Sequence, residues 1–156
     1  MEKSFAFTFE TFSSLRELPE EEQLLIQQAL DNSRNAYAPY SRFHVGASVK
    51  LENGTCIAGN NQENASYPQG LCAERVALFS ASANHPGQPI AAIALASADG
   101  NGILTPCGAC RQVLLEYEQR QGKPIRVLMA NSTGEVIVVQ SAKDLLPFCF
   151  SKDHLQ

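Results

Sequence analysis

The sequence predicts an α/β protein, built as a three-layer α/β/α sandwich around a mixed five-stranded sheet. Two observations lead to this fold class. Runs with the apolar stripe of a helix alternate with short runs typical of strands, and 156 residues is the length of one ordinary domain. The chain contains no internal repeat, linker or low-complexity tract. We therefore expect a single domain over residues 1–156, with residues 1–20 as the place for an extra N-terminal strand.

The first half of the chain predicts one helix and a strand hairpin. Pro19 suits the start of a helix, and the three glutamates after it suit the positive end of the helix dipole. Asn53-Gly54 is a strong hairpin turn signal. Phenylalanines at every second position of residues 5–9 predict a short strand with one apolar face. The predicted elements are therefore a strand over 5–9, a helix over 20–35, a strand from Val45 and a returning strand over 55–59.

The second half predicts alternating helices and strands. An Ala-rich and Leu-rich run looks helical, and a continuous apolar run suits a strand covered on both faces. Pro106 opens a further helix that Gly122 closes. In chain order the predicted elements are a helix over 71–83, a strand over 90–96, the Pro106 helix, strands over 125–130 and 136–139, and a short helix over 141–146.

Charge and apolar content exclude several classes of protein. The formal net charge is −4, with no cluster of Lys and Arg, which argues against a protein that grips long nucleic acids. No apolar run approaches the roughly 20 residues that cross a bilayer. The N-terminus lacks the basic start and apolar stretch of a secretory signal, so we expect a cytoplasmic protein that acts on a small molecule. Five cysteines then suit thiols, metal ligands or catalysts better than disulfides.

The cysteine spacing predicts a metal site. Cys107 and Cys110 are three apart at the start of one predicted helix, and Cys72 starts another. Thiolates at helix N-termini gain from the dipole and the unpaired backbone N–H groups. Three protein ligands leave the fourth position on zinc for water, which is the catalytic arrangement. We therefore predict one Zn²⁺ per chain on these three sulfurs.

Glu74 is the predicted catalytic residue. It follows Cys72 by two positions, so its carboxylate can face the metal-bound water without being a ligand and can move protons between water and leaving group. Zn²⁺ with three thiolates carries a formal charge of −1, so a positively charged side chain nearby would stabilise the site. Arg75 and Arg111 follow the two cysteine motifs and are predicted to donate hydrogen bonds to ligand sulfurs.

Other structural or redox roles stay open for these residues. Cys56 or Cys149 could complete a closed four-cysteine structural site, although both are isolated and suit ordinary buried thiols. A thioredoxin-like redox site at residues 107–110 would leave Cys72 and Glu74 unexplained. Glu74 could serve the helix dipole alone, and the two arginines could be solvated surface residues.

The motifs together resemble those of a known enzyme family. Cys72-Ala73-Glu74 paired with Pro106-Cys107-Gly108-Ala109-Cys110 resembles the zinc nucleoside and nucleobase deaminase signature, a pattern already described for these enzymes. The chain is similar to the small homotetrameric cytidine deaminases from about Tyr37 to Phe150. The further matching stretches are residues 37–47, 61–65, 106–112 and 145–150.

The resemblance implies a hydrolytic deamination of cytidine and 2'-deoxycytidine to uridine and 2'-deoxyuridine, as in pyrimidine salvage. Zinc hydroxide would attack C4, and Glu74 would shuttle protons to N3 and the departing ammonia. It also implies sites at subunit contacts of a homotetramer, where Tyr67 and Phe150 reach a neighbour's nucleoside. The substrate-binding residues that it implies are Phe43, Asn61, Glu63, Ala65, Tyr67, Ala73 and Phe150.

The spacing of Asn61 and Glu63 supports part of this set without the resemblance. Asn61 and Glu63 flank one residue, so on extended backbone both side chains project to the same side, as a pair binding ribose hydroxyls needs. Phe43 as a core residue and Phe150 as a C-terminal packing residue are the alternatives. The rival functions are a blasticidin-S deaminase, which the 61–64 loop disfavours, a nucleic-acid editing deaminase, which the acidic charge disfavours, and a structural zinc module or inactive relative, which Glu74 disfavours.

Overall fold

A computed structural model of the protein describes residues 1–155, which form a six-stranded sheet with three α-helices. The strand order is β1-β6-β5-β4-β2-β3, and β4 and β5 run parallel while the other neighbouring pairs are antiparallel. The strands are β1 Glu10–Phe12, β2 Val45–Leu51, β3 Cys56–Asn60, β4 Ile90–Ser97, β5 Arg126–Ala130 and β6 Val136–Val139. The helices are α1 Glu20–Ser33, α2 Ala73–Asn84 and α3 Gly108–Gln121, with single 3₁₀ turns at Leu15–Glu17, Tyr67–Gln69, Ala142–Leu145 and Lys152–Leu155.

The predicted three-layer α/β/α architecture is confirmed, with a separate apolar core on each face of the sheet. α1 buries Leu25, Ile26 and Ala29 against one face, while α2 and α3 pack on the other. β4 contributes to both cores, because Ile93 and Leu95 belong to one and its alternate alanines to the other. Small residues on the α1 side let this helix approach the sheet closely.

The sheet has six strands where five were predicted, and the extra strand lies at residues 10–12 rather than at 5–9. β1 pairs with the edge strand β6, from Glu10 opposite Val138 to Phe12 opposite Val136. The carboxylate of Glu10 also accepts a hydrogen bond from Arg126 (3.0 Å), which ties β1 to β5. The position of this strand was predicted wrongly because its pairing partners in β6 are distant in the sequence.

The three N-terminal phenylalanines do share one side of their segment. The ring centroids of Phe5 and Phe7 are 6.3 Å apart, and those of Phe7 and Phe9 are 6.1 Å apart. All three rings remain exposed to solvent. Neighbouring rings are tilted against each other by 41° and 43°, and Phe7 and Phe9 line a groove beside β6 instead of forming a ladder of the sheet.

The fold brings the starts of α2 and α3 to the end of the sheet where β4 stops and β2 begins. Val45 at the start of β2 stands opposite Ser97 at the end of β4 in the ladder. The loops that enter α2 and α3 meet the same sheet end. Within residues 1–155, none of the helices combines the length and apolar character that a membrane crossing requires.

Candidate metal and catalytic centre

Three cysteines converge where the two helices start. Cys72 and Cys107 are the N-terminal cap residues of α2 and α3, both with extended backbone, and Cys110 lies in the first turn of α3. Their sulfur atoms all lie within 4.8 Å of one another, and the Cys72 and Cys107 sulfurs are 3.8 Å apart. Three convergent thiols form a donor set that suits Zn²⁺, so the predicted zinc site fits the structure.

The electrostatics of the cluster also call for a cation. A hydrogen bond from Cys110, with the neighbouring Arg75, lowers the pKa of Cys72 to about 5. The same contact with Cys72, together with burial, raises the pKa of Cys110 well above its ordinary value. When no cation is present, ionisation of the Cys72 thiol is therefore favoured and ionisation of the Cys110 thiol beside it is opposed. A divalent cation removes that opposition, which supports a metal centre over a set of ordinary buried thiols.

The other two cysteines lie outside this cluster. Cys149 is partly exposed and Cys56, on β3, is exposed, so the expectation of two buried thiols is wrong. Among the described residues the group of potential metal ligands contains only the three predicted cysteines. A closed four-cysteine site is therefore not formed within residues 1–155.

Arg75 contacts the cluster as predicted. Its Nη2 atom lies 3.5 Å from the Cys72 sulfur, and this hydrogen bond raises the pKa of the guanidinium. The Nε atom of Arg75 is buried and has no hydrogen-bond partner within residues 1–155. A buried donor without an acceptor costs free energy, so the space beside Nε of Arg75 suits a negatively charged acceptor at the cysteine cluster.

Arg111 does not have the predicted hydrogen bond to a sulfur. Its Nε atom donates to the carbonyl of Pro106 at 2.8 Å, and its Nη1 atom donates to the carbonyl of Leu145 at 3.0 Å. The expectation is corrected because these two groups of Arg111 donate to backbone carbonyls and not to a sulfur. Arg111 anchors the loop before Cys107 to the C-terminal segment.

Glu74 is buried beside the cysteines. Its side chain lies in the first turn of α2, and the residue is only 4% exposed. Burial is the main cause that raises the pKa of its carboxyl above the ordinary value, and the negative charge of Cys72 adds to this shift. A carboxyl with a raised pKa exchanges protons near neutral pH more readily than an exposed one does.

A cavity of ≈ 260 Å³ opens onto Glu74 and the cluster. Among the predicted substrate-binding residues, Phe43, Asn61 and Ala73 line it. Leu104 and Thr105 also line it and had no predicted role. Their position directly before Pro106 and Cys107 is the signal that could have identified them, because a segment entering a metal ligand borders the metal.

The amide of Asn61 is engaged with backbone at the cavity wall. Its Oδ1 atom accepts from the Val45 N–H at 2.8 Å, and its Nδ2 atom donates to the Phe43 carbonyl at 2.9 Å. Asn61 thus holds the segment that carries Phe43 in place. Its Oδ1 atom can accept one more hydrogen bond and its Nδ2 atom can donate one more, and the predicted binding of ribose hydroxyls would use these two positions.

Glu63 borders a second cavity of ≈ 360 Å³. Ser41 lines both this cavity and the first one, so the two cavities are neighbours. The Oε2 atom of Glu63 accepts from the N–H groups of Tyr40 (2.9 Å) and Ser41 (3.2 Å). Hydrogen bonds from the Ser41 side chain and from these two backbone groups hold the pKa of Glu63 below its ordinary value. Glu63 is therefore an ionised acceptor next to Asn61's cavity.

Besides Glu63, three predicted substrate contacts lie outside the cavity of Glu74. Ala65 is exposed, and Tyr67 is 74% exposed with its ring 5.8 Å from that of Tyr40. Phe150 is 60% exposed and stacks on His154 at 5.5 Å. Contact of Tyr67 and Phe150 with a neighbour's nucleoside stays a prediction about an assembly.

Comparisons with known proteins agree with this site. The family model described as "Cytidine and deoxycytidylate deaminase zinc-binding region" matches residues 19–122. A cytidine deaminase from Halalkalibacterium halodurans is 40% identical over 133 residues, covering 85% of this chain and 96% of the relative. A second cytidine deaminase, from Sporosarcina psychrophila, is 40% identical over 131 residues, covering 84% and 92% of the two chains.

Solved structures lead to the same family. The crystal structure of cytidine deaminase from Burkholderia pseudomallei has a TM-score of 0.72 and 48% sequence identity, covering 81% of this chain and 97% of its own. That of cytidine deaminase from Mycobacterium tuberculosis has a TM-score of 0.66 and 34% identity, covering 83% and 97%. Both likenesses cover about four fifths of this chain.

Proposed function

The chain belongs to the cytidine and deoxycytidylate deaminase family of zinc enzymes, and on that premise we propose that it hydrolyses cytidine and 2'-deoxycytidine to the corresponding uridines and ammonia. The observation that carries the proposal is the buried carboxyl of Glu74 beside three convergent cysteine sulfurs at the base of a cavity. This arrangement combines a proton carrier with a metal site that has an open position.

Cys72, Cys107 and Cys110 would hold one zinc ion. When bound, zinc supplies a Lewis acid that lowers the pKa of a coordinated water. The placement of two of the three thiols at helix caps supports this role, because the helix dipoles favour negative sulfur there. Arg75 offsets part of the thiolate charge through its contact with Cys72.

Glu74 handles the protons of the reaction. Exchange of the 4-amino group for oxygen consumes one water and releases one ammonia, so protons pass from the water to ring N3 and to the leaving amine. A buried carboxyl with a raised pKa suits both acceptance and return of a proton. Its 4% exposure also keeps bulk water from competing for these transfers.

Phe43, Asn61 and Ala73 line the cavity and suit a nucleoside base and sugar. Phe43 offers an aromatic surface, and the backbone around Ala73 reaches the edge of the base. Asn61 at the wall of this cavity and the ionised Glu63 at the neighbouring one are proposed to bind the ribose hydroxyls, with Ala65 a further substrate contact in the same loop. Deoxyribose lacks one of the hydroxyls that could bind here, so the ribose side of this loop decides how well deoxycytidine competes.

A homotetramer completes the proposal. Tyr67 and Phe150 are exposed aromatic residues near the cavity's loops, and a neighbouring subunit would cover them. None of the five cysteines is in a disulfide, which suits a reducing compartment such as the cytoplasm. The proposed reaction there would serve pyrimidine salvage. Light scattering on purified protein should give four chains per particle, and a monomer would contradict this part.

The decisive experiment follows the ultraviolet absorbance of cytidine, deoxycytidine, cytosine and blasticidin S with purified protein. Both nucleosides should be consumed, with ammonia released in equal amount, while cytosine and blasticidin S remain. Turnover of blasticidin S alone would identify the rival deaminase. No loss of either nucleoside would overturn the proposed function.

A further inference from the structure

His44 and Asp99 form a polar pair beside the cavity. The Nδ1 atom of His44 lies 2.7 Å from Oδ2 of Asp99, and the same oxygen accepts the backbone N–H of His44 at 2.7 Å. Ser97 completes the junction, because its hydroxyl donates to the carbonyl of His44 at 2.7 Å. These contacts join the chain just before β2 to the chain just after β4.

Each partner belongs to a segment that forms one wall of the cavity. His44 lies between Phe43 and Val45, and both of these residues line the cavity. Asp99 begins the loop that leads to Leu104 and Thr105, which line the cavity from a second segment of the chain. Neither His44 nor Asp99 lines the cavity itself, so the pair acts through these neighbours.

The two segments have separate anchors elsewhere. Asn61 holds both neighbours of His44, through the Val45 N–H and the Phe43 carbonyl. The loop after β4 is held to the end of β5, because Asn131 donates to the carbonyl of Asn101 at 2.9 Å. The Val45–Ser97 ladder pair and the Ser97–His44 bond join the two segments at the end of the sheet, and the His44–Asp99 contact extends this connection beyond the last ladder pair into the loop after β4.

We infer that His44 and Asp99 are a positioning pair that sets the distance between the two walls of the nucleoside cavity. The inference rests on the proposed function for the identity of the ligand. Asp99 must accept from Nδ1–H of the imidazole, so a donor at this position is the essential feature. The pair holds Phe43 in position relative to Leu104 and Thr105 and so favours binding of the base over the chemical step.

A comparison of two substitutions isolates the hydrogen bond. His44→Leu removes the side-chain donor and leaves only the backbone N–H bond to Asp99, whereas His44→Asn keeps an amide nitrogen close to the position of Nδ1. For cytidine, His44→Leu should raise KM by up to about tenfold, the size expected for one lost hydrogen bond to a charged group, with kcat within about twofold. His44→Asn should stay within about twofold of wild type in both constants, and the inhibition constant of the product uridine should follow KM.

A remote ion pair provides the matched control. Lys123 Nζ lies 2.7 Å from Glu52 Oε1, with both side chains exposed, and neither residue lines the cavity. Lys123→Leu should leave KM unchanged. Removal of Asp99 tests the pairing itself, since His44→Leu combined with Asp99→Ala should raise KM no further than Asp99→Ala alone.

Hydrogen–deuterium exchange gives a measurement that does not depend on turnover. Backbone amides of residues 98–105 should exchange faster in His44→Leu than in wild type or His44→Asn. A KM for His44→Leu within twofold of wild type, equal damage in both His44 variants, or unchanged exchange would each overturn the inference. A wild type that leaves cytidine intact would overturn the proposed function, while the exchange comparison would still decide whether the pair joins the walls.

Discussion

The Nη2 atom of Arg75 lies 3.5 Å from the sulfur of Cys72, three residues earlier at the start of the same helix. Cys72 caps α2 and Arg75 lies in its first turn, so local helix geometry alone brings the two groups together. The contact places a fixed positive charge against a cluster whose three thiolates would leave zinc with a net negative charge. Arg75 thus becomes the natural residue with which to test the electrostatics of the metal centre.

Replacement of Arg75 with Ala should lower kcat for cytidine by about tenfold, the lower end of the range for residues that support metal ligands. The rate against pH should also change, because the metal centre becomes more negative and its bound water less acidic. Arg111→Ala is the contrast, since Arg111 bonds to backbone carbonyls. It should lower the unfolding midpoint with little effect on the pH profile. An Arg75→Ala enzyme with wild-type rate and profile would remove Arg75 from this role.

Glu74→Gln should abolish turnover while the protein keeps its zinc. The amide fills the same space but cannot accept and return a proton, so kcat should fall by at least about 100-fold. Metal analysis and the unfolding midpoint should match those of wild type. Glu116, which is exposed on α3, supplies the control, and Glu116→Gln should be fully active. Residual activity above a few percent in Glu74→Gln would show that another group moves the protons.

Removal of zinc with a chelator should abolish activity and lower the unfolding midpoint. Bound metal stabilises the folded state by about 2.7 kcal/mol when free zinc is 100 times its dissociation constant, and this contribution disappears on chelation. Added zinc should restore both properties at one ion per chain. Cys110→Ser should reproduce the loss, whereas Cys56→Ser should not, because Cys56 is outside the cluster. Full activity in metal-free protein would refute the zinc mechanism.

Gly59→Ala should disturb the catalytic helix from the opposite side. A Cβ atom at Gly59 would lie 2.5 Å from the backbone nitrogen of Ala77 and 2.9 Å from the carbonyl oxygen of Ala73, so α2 must shift away from β3. We expect a loss of about 1–3 kcal/mol in the free energy of unfolding and a lower kcat, because Glu74 moves with the helix. Gly102→Ala, where a Cβ meets open space, should be neutral. Urea unfolding and cytidine kinetics measure both effects.

Asp99 should make stability depend on acid. Hydrogen bonds from the backbone and side chain of His44 hold the pKa of Asp99 below its ordinary value of 3.8. For a carboxyl with a lowered folded-state pKa, the stabilisation is present above the unfolded-state pKa and is lost as pH falls through the folded-state value. The difference in unfolding free energy between wild type and Asp99→Ala should therefore shrink as the pH falls below 3.8. A difference that grows in acid would contradict the direction of this shift.

The sequence predicted those parts of the molecule that depend on neighbouring residues. Helix starts at Cys72 and Cys107 follow from local spacing and from Pro106, and Gly122 ends α3 with a left-handed φ of 68°. The hairpin at Asn53-Gly54 is equally local. Convergence of the two cysteine motifs is long-range, and it was predicted from the position of both motifs at helix starts and from their resemblance to the zinc deaminase signature.

Contacts between distant segments escaped prediction. Glu118 is a buried carboxylate that accepts from the N–H groups of Ile125 (2.8 Å) and Ala142 (2.7 Å) and from the hydroxyl of Ser141. Nothing in the α3 sequence distinguishes it from a solvent-facing glutamate. Arg111 was assigned to a sulfur for the same reason, since its carbonyl partner at Leu145 is 34 residues away. Periodicity identifies which residues are apolar, but the partner of a polar group is known only after the segments have packed.

The sequence separation of the metal ligands has a consequence for how the protein is made. Cys107 and Cys110 are close together even in an extended chain, whereas Cys72 precedes Cys107 by 35 residues that include all of β4. Closing a loop of that length costs chain entropy, and an ion that bridges its ends acts as a reversible cross-link. Zinc captured first by the local pair would recruit Cys72 as α2 docks. Refolding in the presence of zinc should then be faster than refolding with chelator, with the metal serving as an assembly aid before it serves any substrate.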